Sequence, residues 1–135
     1  SIENCSEEEV PRTSQPEKRP DDEIDLKLVL EACPATCDYP EPIRGTYDLI
    51  TAGSYLRAST TVGTEAWSTS AAAIGGRQTA IAVIYAYQRI NDDVASGANR
   101  IRSHGGFTKS ILDGVAAGKI NLRAELTALR RKHLQ

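Results

Sequence analysis

Four groups of residues in this 135-residue chain have side chains that could do chemistry. Ser103 and His104 are a hydroxyl and an imidazole side by side. An activated nucleophile needs its base within hydrogen-bond reach, and side chains of adjacent residues diverge, so His104 reads as a surface histidine at a helix start. Asp92 and Asp93 are paired carboxylates in a polar stretch. Two carboxylates that work as acid and base flank one bond across a gap, and sequence neighbours rarely do, so a solvated turn is expected. Cys33-x-x-x-Cys37 would need two more ligands to hold a metal, and His104 and His133 are distant in sequence. Reduced thiols are therefore expected, with no metal and no cofactor. The last group is cationic. Lys119, Arg123, Arg130, Arg131 and Lys132 face a single acid, Glu125, near the end of the chain, and Arg77, Arg89, Arg100, Arg102 and Lys109 lie earlier. These could touch phosphates. Without interleaved aromatics, the same cluster also fits a solvated helix end whose cations suit the dipole. The candidate DNA or partner contacts are Arg77, Arg100, Arg102, Lys109, Lys119, Arg123, Arg130, Arg131 and Lys132. An enzyme is the least supported class.

The composition limits what can position these groups. Hydrophobic residues make up 40% of the chain and charged residues 25%, which suits a globular core, while aromatics are only 5%, so aliphatic side chains must fill it. The net charge of −2 hides an asymmetry: residues 1–24 hold eight acids and three bases, and residues 25–135 hold ten acids and thirteen bases. An acidic segment precedes a mildly basic body. Residues 1–23 carry three prolines and almost no apolar side chains, so they cannot offset their ordering entropy and are expected to be a flexible linker. Residues 24–135 form the expected domain. The chain holds no methionine, which suggests a piece of something longer. Three sparse cysteines, with no signal-peptide pattern and no apolar run of spanning length, point to a cytoplasmic protein away from membranes.

From Ile24 the pattern is helical. Leu26, Val29, Leu30 and Cys33 share one helical face, and Pro34 stops that helix before a proline-rich loop. The second helix runs from about Thr46, its expected cap, to Thr61, with Leu49, Ile50, Gly53 and Leu56 inward. Thr64 is expected to cap a short third helix that ends at Gly75-Gly76. "RQTAIAVIYAYQRI" is apolar nearly all round and should be the central helix, with "NDDVASGAN" breaking the pattern after it. A fifth helix starts near Gly105 or Gly106 and uses Phe107, Ile111, Leu112 and Val115. A sixth, from about Asn121, uses Leu122, Leu126 and Leu129. No strand pattern is sustained, so the expected fold is all-α, a compact bundle of about six short helices. Trp67 and Tyr47 read as core anchors, and Tyr55, Tyr85 and Tyr87 as half-buried rings.

The segment "IRSHGGFTKSILDGVAAGKI" is a turn–helix–turn with Ser103 as cap, Phe107 as anchor and Gly118 as a left-handed stop. Local physics explains its shape and not its purpose. It resembles a signature of the C-terminal region of RepC, the replication initiator of repABC-type plasmids: isoleucine, one residue, serine-proline-glycine-glycine-tyrosine, a short helix, then a glycine. Here those positions are Ile101, Ser103, Gly105, Gly106, Phe107 and Gly118, with His104 in place of the proline and Phe107 in place of the tyrosine. "LVLEACPATCDY", "GTYDLITAGSYLRA" with Tyr47, Asp48, Leu49 and Arg57, "EAW", and "AIGGRQTAIAVIYAYQR" with Gly75, Ala80 and Arg89 resemble further family stretches in the same order, over roughly residues 26–130. Helical domains of other replication initiators and of helicase-loading proteins share a similar aromatic-then-glycine helix.

The resemblance implies a non-catalytic domain that supports origin-dependent replication through protein contacts, with replication machinery or with a second copy. Binding to plasmid origin DNA would fall mainly to a region upstream of this one. Auxiliary DNA binding by the basic surface of the last two helices is the alternative, as is a contact of the helicase-loader type.

Overall fold

The computed structural model describes residues 24–134, and the expected linker at residues 1–23 lies outside them. Within the described residues there are six α-helices and no strand: α1 (Leu26–Ala32), α2 (Thr46–Thr60), α3 (Thr64–Ile74), α4 (Gly76–Ser96), α5 (His104–Ala116) and α6 (Leu122–His133). A 3-10 turn at Pro34–Asp38 follows α1, where the sequence suggested only loop.

The central helix is α4, as its composition predicts. Every residue from Thr79 to Ala86 is buried, and α2, α3 and α5 pack around it. The crossing with α2 is close because Gly53 has no side chain. A Cβ there would sit 2.6 Å from the Cβ of Ala80, inside any tolerable contact. Leu49 and Leu56 complete that inner face. On the other side α6 presents Leu122, Leu126 and Leu129, all buried, and packs against α1.

The inner face of α1 is rotated from the expected one. Leu28, Val29 and Ala32 are buried with Cys33, while Leu26 and Leu30 are only partly covered. The helix ends at Ala32, so Cys33 is a cap residue and its burial follows the 3-10 turn rather than the helical stripe. Packing on α6 sets which side of α1 turns inward.

The caps show where local chemistry decides and where it does not. Asp25 accepts from the N–H of Leu28 at 2.9 Å, Ser103 from Gly106 at 2.9 Å and Asn121 from Ala124 at 3.0 Å. Thr46 and Thr64 do not cap. Gly45 and Gly63 hold those positions, one residue earlier, and the threonines are the first helical residues. Thr46 Oγ1 instead accepts from Arg77 Nε at 3.0 Å. Asp48, in the first turn of α2, reaches back to accept from the Arg44 N–H at 2.8 Å. Helix α5 begins at His104, directly after its serine cap.

The stretch expected to break α4 is its last two turns. Asn91 donates to the carbonyl of Tyr87 at 2.8 Å, and the helix runs to Ser96 before Gly97, at φ 77°, stops it. Polar residues here mark a face that turns to solvent and do not mark a chain break. Helix α5 closes as expected. Gly118 is left-handed at φ 74°, Lys119 N–H donates to the Gly114 carbonyl at 2.8 Å and Gly118 N–H to that of Val115 at 3.1 Å. This is the paired C-terminal closure that glycine favours. Ile120 then lies over Gly114, where a Cβ would meet its Cδ1 at 2.4 Å.

Candidate functional site

The signature residues come together as architecture. Gly105 faces the α2–α3 turn, where Thr61 is left-handed at φ 66°, and a Cβ on Gly105 would lie 2.8 Å from the Thr61 hydroxyl. A Cβ on Gly106 would lie 2.8 Å from Ser103 Oγ, the atom that caps its own N–H. The two glycines thus let α5 begin tightly capped against a neighbouring turn. Phe107 is part-buried, and the Arg89 guanidinium carbon lies 5.5 Å from its ring centroid and 5.6 Å from that of Tyr85. Arg89 Nη1 donates to the Tyr85 hydroxyl at 2.6 Å, and that hydroxyl donates to Glu125 Oε1 at 2.7 Å. One chain of contacts therefore ties α4, α5 and α6. Burial, with the hydrogen bond to Glu125, pushes the Tyr85 hydroxyl up to about 12, so it stays protonated and able to donate.

A second polar cluster lies at the ends of α4 and α6. Gln88 is buried, accepts from the Ala35 N–H at 2.7 Å and donates to Asp92 Oδ1 at 2.8 Å. His133 Nε2 meets Asp92 Oδ2 at 2.8 Å. Cys33 lies near Asp92, and burial, then that carboxylate, push its thiol far up. A thiol so held is protonated and a poor nucleophile, and the hydrogen bonds of the cluster join α4 to α6 and to the 3-10 turn. Cys37 is a free, exposed thiol, and among the described residues no group of His, Cys, Asp or Glu could hold a metal ion.

The nine cationic candidates divide by what they touch. Arg77 is a clamp: besides Thr46, its Nη1 donates to the Ile24 carbonyl at 2.6 Å, tying the start of α4 to the entry of α1. Lys109 pairs with Asp113 at 2.8 Å on the rim of a groove of about 380 Å³ between α3 and α5. Arg130 pairs with Glu31 at 3.3 Å and joins α6 to α1. Arg123 and Lys119 are exposed near the α5–α6 connection, and Arg102 is exposed before α5. Arg131 lies on the outer face of α6 beside Thr127 and Leu134. Arg100 and Lys132 are brought together, with Arg89, around one cleft. Of the nine candidates, Arg100 and Lys132 alone line that cleft.

The aromatic residues overturn part of the sequence reading. Tyr47 is no core anchor and is 81% exposed, while Tyr55 is 53% exposed. Trp67 does pack against the core, and Tyr85 is fully buried rather than half-buried. Tyr47, Thr51 and Tyr55 recur every fourth residue on the side of α2 opposite Leu49 and Leu56, a spacing visible in the sequence itself. Tyr39, from the loop after the 3-10 turn, meets Tyr55 edge-to-face at 5.4 Å between centroids. Partial burial raises the Tyr39 hydroxyl, as do nearby Glu41 and Asp48, so this aromatic face has an acidic border.

The profile of one protein family, the replication protein C C-terminal region, matches residues 25–132. No curated protein and no solved structure matches the chain. Among the described residues no helix is long and apolar enough to cross a membrane. The match takes in α1 to α5, all but the last residue of α6, the capped glycine pair and the Arg89–Phe107 contact, and on it the chain belongs to the family of replication protein C C-terminal regions.

Proposed function

We propose that this domain is a non-catalytic contact module of a plasmid replication initiator, and that it joins the initiator to another protein of the replication machinery through the aromatic face of α2. The observation that carries this is the exposure of Tyr47 and Tyr55 on one helical face, linked to Tyr39. Large rings with polar tips are the residues that anchor interfaces, because they cover much area for little lost rotamer freedom. A core has no use for them there, since Leu49, Gly53 and Leu56 already fill the inner side. The acidic border at Glu41 and Asp48 suits a partner segment that carries apolar and basic groups together. Family membership supports the replication setting.

Site-specific photo-cross-linking in cells that replicate the plasmid tests this. A cross-linker at position 47 or 55 should capture one replication protein in a defined adduct, and one at exposed Ala72 on α3 should not. Equal capture from all three positions would contradict the assignment, and an adduct only with a second copy of the chain would replace the partner with self-association. DNA contact has separate support in the meeting of Arg100 and Lys132.

A further inference from the structure

The cleft at the far end of α4 has a volume of about 250 Å³ and takes Arg89 and Ser96 from α4, Arg100 from the loop after it and Lys132 from α6. Its two acids, Asp92 and Asp93, are already engaged. Asp93 accepts from the backbone N–H of Arg100 through Oδ1 and of Ile101 through Oδ2, each at 2.9 Å. Those two bonds hold the Asp93 carboxyl below its usual range, so it stays ionised and fixes the loop that carries Arg100. Both oxygens of Asp92 are taken by Gln88 and His133. The cations are less committed. Among the described residues no hydrogen bond or ion pair holds the Lys132 side chain, and Arg100 has only its electrostatic proximity to Asp93. Three cations from three separate elements thus border one opening whose acceptors are satisfied internally.

We propose that this cleft binds a phosphodiester group of a nucleic-acid backbone, with Arg100 and Lys132 as the direct contacts and Asp93 as the residue that positions Arg100. A phosphate brings two unesterified oxygens with lone pairs, which match a guanidinium fork and an ammonium from different sides. Arg89 adds a fixed positive charge at the wall, held by the rings of Tyr85 and Phe107. One such contact is weak and independent of sequence, so it would orient DNA held elsewhere rather than select it. This site is separate from the aromatic face, which lies on α2.

The test is fluorescence anisotropy of the full chain with labelled duplex and single-stranded oligonucleotides across a salt series, with inorganic phosphate as competitor. Binding should weaken as salt rises. Arg100→Ala and Lys132→Ala should each lower affinity and flatten the log–log salt slope for duplex DNA, and the double variant should flatten it by about 0.9, the value of one phosphate contact. Lys27→Ala, on exposed α1 surface, should change neither. Asp93→Ala is the discriminating variant. It removes a negative charge, so charge alone predicts tighter binding, and loss of the anchor for Arg100 predicts weaker binding. Circular dichroism confirms that each variant is folded. No DNA binding by the parent chain, equal losses from Lys27→Ala, tighter binding by Asp93→Ala, or binding of inorganic phosphate without DNA would each overturn the proposal.

Discussion

The two halves of α4 are built on opposite terms. From Ala80 to Ile84 the helix is buried all round and its side chains are aliphatic, with Ala80 seated on Gly53. From Tyr85 to Asp93 the same helix carries the Tyr85 hydroxyl, the Gln88 amide, the Arg89 guanidinium and the Asp92 and Asp93 carboxylates, each matched to a partner on α5, α6, the 3-10 turn or the following loop. The first half holds the domain together without specifying much besides close fit. The second half fixes geometry at the protein surface, where directional bonds decide which groups face outward. Stability and surface design are therefore separable along one helix, and mutations can tell them apart.

The largest effects should come from the dry side. Leu126→Ala removes a fully buried side chain from the α6 face and should lower unfolding free energy by about 2–5 kcal/mol, measured by urea titration. Gly53→Ala should destabilise by about 1–3 kcal/mol through overpacking on Ala80, although alanine is the better helix former. If Gly53→Ala were neutral, the close crossing of α2 and α4 would be wrong.

The polar side should give smaller and more specific changes. Tyr85→Phe keeps the ring and removes the hydroxyl shared by Arg89 and Glu125, for a loss of about 1 kcal/mol. It should also alter the alkaline limb. The Tyr85 hydroxyl titrates at about 10 when unfolded and is pushed up to about 12 in the fold, so its contribution is full below pH about 10 and is lost as pH rises toward 12. Tyr87, which donates to Asp38, is raised to about 12 and acts in the same window. Tyr85→Phe should shrink the alkaline loss of stability, and Tyr85→Phe with Tyr87→Phe should shrink it further. An unchanged pH profile would show that these hydroxyls are not held as described. Smallest of all is Lys109→Ala. The Lys109–Asp113 pair is exposed on both sides and one turn apart, so its removal should shift stability by less than about 0.5 kcal/mol.

Much of this was legible before the structure. The apolar run of α4 and the Leu122, Leu126, Leu129 stripe of α6 carry a helical period strong enough to read directly. So do the Ser103 cap and the Gly118 stop, whose chemistry is local. The misreadings have a common cause. Tyr47 was assigned to the core by residue type, although its spacing from Tyr55 placed it opposite the leucines of α2. The α4 extension was hidden because a polar run reads as a break when its partners, such as His133 for Asp92, lie 41 residues away. The face of α1 was set by packing on α6, which no seven-residue window contains. Arg100 and Lys132 were both candidates, yet only the fold shows that they share a cleft while Arg77 is spent as a clamp.

The most direct test of the account is plasmid establishment by an initiator carrying Tyr47→Ala with Tyr55→Ala, beside the thermal melt of the purified domain. Tyr47 is 81% exposed and Tyr55 53%, so unfolding free energy should fall by no more than about 1 kcal/mol, the worth of the Tyr39–Tyr55 contact, while establishment falls sharply. Full establishment with an unchanged melt would contradict the central claim, because the aromatic face would then be neither core nor contact.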